Sequence, residues 1–305
     1  MKSGEDAITR WFAGQRTLDK SQFPIAIGDD MAEVALADGV TVLITTDMLM
    51  EGVHFELDSA SLRQVGYKAM AVNLSDCAAM ATVPAGAVAT VGLPEGYGEK
   101  QLKELYEGLC EAGDKYNCPV IGGDICRYKK DGSLVVNVTM LSRRAGHSPV
   151  RRDGAREGDA ICVTGHLGGG AAKHLVFEPR VSEAIRIARM VKLHSMIDIS
   201  DGLSVDLRRI CEKSGVGAII EADSIPISQA ANDKDKPLEA ALNDGEDFEL
   251  LFTLAESEYE NLAEKWHCGV LVTKIGTTTK DKTVMIRYKN GDTEQLQAKG
   301  YDHLI

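Results

Sequence analysis

The sequence has no surplus of positive charge: 34 Lys and Arg against 46 Asp and Glu leave a formal net charge of −12. A general nucleic-acid binder presents a basic face, so that class is excluded. A CxxC pair is also missing. The cysteines, at 77, 110, 118, 126, 162, 211 and 268, are odd in number and scattered. Neither a disulfide framework nor a zinc site is indicated, and reduced thiols in a reducing compartment, the cytoplasm, are expected. No apolar run is long enough to span a bilayer. Met1–Gly14 carries acidic residues and lacks an apolar core segment, so no signal peptide is read there. Low-complexity segments, short-period repeats, a Walker A loop, a GxGxxG fingerprint and a Ser or Cys nucleophile elbow are likewise absent.

What is present is an ordinary globular composition, 44% hydrophobic and 26% charged, over 305 residues, enough for two domains. The composition shifts at Arg143–Asp159, which holds Arg143, Arg144, Arg151, Arg152 and Arg156, and the boundary is placed there: 1–145 and 146–305. In so acidic a chain these arginines suit phosphate contacts; a solvated linker is an equal reading.

The chain is organised around Thr41–Phe55. Its apolar, β-branched opening predicts a buried strand ending in Thr45-Thr46-Asp47, with a turn at Gly52 and His54 following. Similar acidic ends recur. Gly28-Asp29-Asp30 follows Pro24–Ile27, Gly122-Gly123-Asp124 closes the strand Pro119–Ile121, and Asp198-Ile199-Ser200-Asp201 closes another. Ser61 and Gln64 form a capping box for a helix whose stripe is Leu62, Val65, Ala69 and Val72, closing on Asn73–Asp76. Asp76 lies among Ala, Cys and Met, where an unpaired carboxylate is expensive; a metal, a hydrogen-bond partner or a helix cap would satisfy it. A helix over Lys100–Tyr116 carries Tyr106 beside its apolar stripe. Gly165–Gly170 is a Gly-rich strand-to-helix turn suited to an anion. Alternating strands and helices in both halves predict two related α/β layers.

Converging carboxylates without matching lysines repel one another unless divalent cations hold them. Oxygen-only ligands with Thr and Ser hydroxyls select hard ions such as Mg²⁺. The residues therefore point to a multi-metal phosphate site and direct in-line transfer.

The segments IGDD (27–30), TTDMLMEGVHF (45–55), YKAMAVNLSDCAAM (67–80), IGGD (121–124), MIDISDGL (196–203), GEDFELLF (245–252) and KGYDH (299–303) resemble the thiamine-monophosphate kinase family in order and spacing. That family belongs to the superfamily of aminoimidazole ribonucleotide synthetase. The resemblance implies a two-domain α/β (α+β) fold, a homodimer joined through an N-domain β-barrel, and several Mg²⁺ ions. It implies ATP-dependent conversion of thiamine monophosphate to thiamine diphosphate. Carried over by position, Asp30, Thr45, Thr46, Asp47, Asp76, Asp124, Asp198 and Asp201 would be metal ligands, with Asp47, Asp76, Asp124 and Asp198 central to catalysis. Tyr106, Gly123, Asp124, Arg152 and Ser200 would contact ATP, and His54, Glu246 and Tyr301 the thiamine phosphate. Three places depart from the family pattern: a shortened segment between Gly170 and Val181, Asn243-Asp244 where a Ser-Gly pair is usual, and Ala81-Thr82-Val83 in place of a Gly-containing turn. Competing readings are another ATP-using member of the superfamily and a non-catalytic nucleotide- or thiamine-phosphate-binding protein.

Overall fold

The computed structural model describes residues 4–130 and 132–304. Helix α1 (Glu5–Gly14) is followed by β1 (Ala32–Ala37), β2 (Val40–Met50), α2 (Leu62–Ala79), β3 (Thr82–Leu93), α3 (Glu99–Asp114), β4 (Val120–Arg127) and β5 (Val135–Arg144). The second half holds β6 (Ala160–Thr164), α4 (Gly170–Lys173), α5 (Val181–Met190), β7 (Leu193–Asp198), α6 (Leu203–Ser214) and β8 (Gly217–Glu221). It ends with α7 (Gln229–Asn232), α8 (Pro237–Asn243), β9 (Leu250–Leu254), α9 (Glu256–Lys265), β10 (Val272–Thr279), β11 (Val284–Arg287) and β12 (Thr293–Gln295).

Two open sheets result, one in each half. The first runs β1-β2-β5-β3-β4 and the second β12-β11-β8-β10-β6-β9-β7. Within them β3 pairs β4 and β8 pairs β11 in parallel, and the other pairs are antiparallel. Among the described residues neither sheet closes on itself, so this chain alone forms no N-domain barrel. Among the described residues, no helix is long and apolar enough to cross a membrane.

Helix α2 positions the site. Its capping box forms in both directions, with the Ser61 N–H donating to Gln64 Oε1 at 2.9 Å and the Gln64 N–H to Ser61 Oγ at 3.2 Å. A single apolar stripe is expected, yet α2 is buried around almost its whole circumference, including Lys68, Asn73 and Ser75. It lies between the first sheet and β7 and α5 of the second half, which makes one continuous core across the two. A helix covered on all sides must be small and nearly uncharged around its circumference, and the Ala-rich sequence of α2 satisfies that. Against α3 the backbones cross at Gly66 and Gly108. A Cβ on Gly66 would lie 2.0 Å from the Leu105 carbonyl oxygen, and one on Gly108 would lie 1.9 Å from that of Arg63.

Several expected boundaries shift. Thr45–Asp47 lies inside β2, which runs on to Met50 because its pairing with β5 continues through Met50↔Val135. Gly122–Asp124 lies inside β4 rather than at its end, and Asp76 lies three residues before the last residue of α2. The segment before β1 makes only isolated bridges, such as Ile25↔Glu33. Helix α1 forms as expected, but its apolar residues Ile8, Trp11 and Phe12 are exposed.

Candidate active site

Strand alternation decides which side chains of β2 meet α2. Leu43, Thr45 and Leu49 are buried on the side of α2, and Asp47 shares that face. Thr46 and Met48 point the other way, where the Thr46 hydroxyl bonds Asn137 and Thr139 of β5. The Thr46 side chain is therefore turned away from the acidic cluster.

Asp30, Asp76 and Asp198 each place a carboxylate oxygen within 4.8 Å of the others. They arrive from the loop before β1, the last turn of α2 and the end of β7. Ser75 Oγ donates to Asp198 at 2.6 Å, and Thr45 Oγ1 donates to Asp76. Burial, then the neighbouring carboxylates, pushes Asp76 well above the usual carboxylate range. Asp198 is raised well above it too, by burial first and Asp30 next. Burial also lifts Asp47 to about 6, and its Oδ2 is buried with no partner. Crowded carboxylates with an orphaned oxygen, among which Asp76 and Asp198 have hydroxyl donors, fit a hard divalent cation.

Arg152 closes one side of this cluster. Its guanidinium forks onto Asp30, at 3.0 Å from Nε and 2.5 Å from Nη2, and its backbone N–H donates to Asp29 at 2.9 Å. Asp201 is held by Arg209 at 2.5 Å, which also bonds Asp206 and Asp6. The Asp201 carboxylate lies outside the Asp30–Asp76–Asp198 trio.

Beside the trio is a cavity of about 300 Å³ lined by Asp47, His54, Lys68, Ser200, Asp201, Asp244, Glu246, Phe248, Tyr301 and His303. It gathers every residue expected on the thiamine phosphate. Backbone ladders hold its walls together: the Glu246 N–H donates to Ser200 O at 2.7 Å and the Tyr301 N–H to Asp201 O at 3.1 Å. Glu246 and Phe248 have φ of 52° and 49°, a left-handed conformation that L-residues adopt only when their surroundings hold them there. The His54 ring stands 5.4 Å from that of His303, which meets Tyr301 edge-on at 4.7 Å. Burial, then Lys68, lowers the pKa of His54, so at neutral pH its ring is uncharged. Its Nδ1 accepts from the Met50 N–H at 3.1 Å, which leaves the proton on Nε2.

Tyr106, Gly123 and Asp124 lie elsewhere. They line a groove of about 990 Å³ between α3 and the β3–β4 edge, with Leu102 and Arg127. The in-register row Asp47, Val138, Ala89, Gly123 crosses β2, β5, β3 and β4, so strand spacing puts Gly123 about 14 Å from Asp47.

The Gly-rich turn at Gly165–Gly170 does hold an anion, but one of the chain's own. The Gly168 and Gly169 N–H groups donate to the Asp247 carboxylate at 2.8 and 3.0 Å. Of the acids 244, 246 and 247, Asp247 is thus structural. Lys68, Phe248 and His303 were not singled out from the sequence. Lys68 borders the apolar stripe of its helix, and its partners are far away in the chain.

The two half-chains, their open mixed sheets and the acidic cleft between them define an AIR synthase-like architecture. The family model for AIR synthase related protein, N-terminal domain, matches residues 28–143, and that for the C-terminal domain matches residues 156–289. The thiamine-monophosphate kinase of Rhodopirellula baltica is 38% identical over 301 residues, covering 94% of each chain. That of Escherichia coli K12 is 34% identical over 330 residues, covering 99% of each. A solved structure, AaThiL complexed with AMPPCP and TMP, superposes with a TM-score of 0.81 at 29% identity, covering 99% of this chain and 97% of that one. The chain belongs to the thiamine-monophosphate kinase family.

Proposed function

We propose that this chain transfers the γ-phosphoryl group of ATP to the phosphate of thiamine monophosphate, giving thiamine diphosphate and ADP in the cytoplasm. The observation that carries this reading is the place of Asp47, which lines the cavity that gathers His54, Glu246 and Tyr301 and meets Asp76 of the Asp30–Asp76–Asp198 trio. Its family relatives are kinases of this name, and one was solved with an ATP analogue and TMP.

Asp30, Asp47, Asp76 and Asp198, with Thr45, would hold Mg²⁺ ions, which neutralise two anionic reactants and align them. Arg152, already forked onto Asp30 beside these acids, would orient the triphosphate, with Ser200 at the cavity wall. Tyr106, Gly123 and Asp124 are assigned to the nucleotide. Thr46 would contribute through its backbone carbonyl, and Asp201 from the rim of the cavity. His54 and Tyr301 would pack on the rings of the substrate, with the Glu246 carboxylate facing the cationic thiazolium. No protein nucleophile is needed, because a phosphate monoester dianion attacks without prior deprotonation.

We assign residues 1–145 to ATP binding and dimerisation and 146–305 to the second domain. A homodimer through the first sheet accounts for its exposed Ile44, Met48, Val88, Ile121 and Ile125, and a second copy would close the barrel and cover the edge strand β4. Incubation with ATP, Mg²⁺ and thiamine monophosphate tests the activity. Thiamine diphosphate with equimolar ADP, lost when Mg²⁺ is withheld, is expected. A folded protein that yields none refutes the reading.

A further inference from the structure

Lys68 is among the largest fully buried side chains of the described residues, yet it ends in a charge. It sits on α2 between Tyr67 and Ala69, both buried, at a depth where an unpaired ammonium is strongly disfavoured. The group is fully satisfied. Nζ donates to the His54 carbonyl oxygen at 2.7 Å, to the Glu246 carboxylate, and to His174 Nδ1 at 2.7 Å.

An ammonium has three N–H donors and no lone pair. All three are spent on protein acceptors, so none is left for a ligand. Because Nζ can only donate, His174 Nδ1 must accept, and the neutral imidazole carries its proton on Nε2. The acceptors come from three distant segments: the turn after β2, the turn between α8 and β9, and the residue after α4. Two of them, His54 and Glu246, are walls of the substrate cavity. The third, His174, lies in the connection between α4 and α5, with its side chain mostly covered and its Nδ1 3.4 Å from Glu246 Oε2. Glu246 is strained at φ 52°, and nothing in its own turn aims its carboxylate.

We propose that Lys68 is a positioning residue for substrate recognition: its ammonium fixes the His54 turn and the Glu246 carboxylate in one geometry, with His174 as the acceptor that completes its coordination. The inference rests on the reading of this cavity as the thiamine monophosphate site. It assigns no phosphate contact to Lys68, although a buried lysine in a phosphate-handling site invites one.

The test compares Lys68→Met, Glu246→Gln, their double variant, His174→Leu and His174→Gln with the wild type. The readouts are calorimetric binding of thiamine monophosphate without ATP, KM for each substrate, and thermal unfolding. Loss of a hydrogen bond to a charged group predicts about a 10-fold or greater weakening of thiamine monophosphate binding in Lys68→Met, with KM for ATP unchanged. Because Lys68 acts through Glu246, the double variant should bind no worse than about twofold below the weaker single one. His174→Leu, which strands one N–H, should weaken binding, and His174→Gln, which keeps an acceptor, should restore it. If Lys68→Met does not fold, the two His174 variants decide the matter alone. Wild-type binding in Lys68→Met or His174→Leu, or losses that multiply independently in the double variant, would overturn the inference. A fall in kcat at unchanged affinity would also overturn it, by moving Lys68 to the reacting atoms. A wild type that binds no thiamine monophosphate refutes the cavity reading itself, and the inference with it.

Discussion

Replacing Asp47 by Asn should make the metal-free protein more stable while abolishing its response to Mg²⁺. Burial holds the Asp47 carboxyl at about 6 instead of its ordinary 3.8, and its Oδ2 has no partner. At about 1.4 kcal/mol per pH unit, that displacement amounts to about 3 kcal/mol against the folded state. The sign follows from proton counts. Between pH 3.8 and about 6 the folded chain holds a proton that the unfolded chain has released, so stability falls as pH rises through this window and the loss is complete above it. An amide of the same shape carries no such charge, and its NH₂ can donate to Asp76. In EDTA, urea unfolding of Asp47→Asn and wild type should agree near pH 4, and by pH 7.5 the variant should be more stable by about 3 kcal/mol. Added Mg²⁺ should stabilise the wild type and leave the variant where it was. A variant less stable than wild type in EDTA at pH 7.5, or equally stabilised by Mg²⁺, would refute the account of a cation-balanced cluster.

Three further changes test the scaffold. Gly108→Ala pushes a methyl into the Arg63 carbonyl at the α2–α3 crossing, and should cost about 3 kcal/mol and weaken ATP binding through Tyr106 on the same helix. Gly14→Ala, with open space around the new methyl, should instead be neutral or gain about 0.5 kcal/mol in the same unfolding assay. Arg209→Met strands the fully buried Asp206 and removes one of two arginines on Asp6; a loss of about 3–5 kcal/mol and faster proteolysis at α1 are expected.

Local signals in the sequence were strong where local physics decides. The Ser61–Gln64 box, the helix over 99–114 and the glycine cap at Gly215 (φ 72°) all need only neighbours along the chain. Asp30 and Asp198 could be picked out as acids at strand ends, and Asp76 because an acid among small apolar residues is costly unless engaged. What could not be read locally was facing. Alternation turns Thr46 away from its neighbours Thr45 and Asp47, and that follows only once β2 is known to continue through them. Asp247 and Glu246 are adjacent, yet one holds the Gly168-Gly169 backbone and the other a lysine on α2. Lys68 shows the limit most plainly, since its partners lie 14, 106 and 178 residues away.

The central claim is direct transfer between two bound phosphates, and following the label tests it most directly. Single-turnover incubation with ATP carrying ¹⁸O in its γ-phosphoryl group, read by ³¹P NMR, should place the label in the terminal phosphoryl group of thiamine diphosphate. Label found only in inorganic phosphate, or retained on the protein as a phosphoryl-enzyme, would contradict the account.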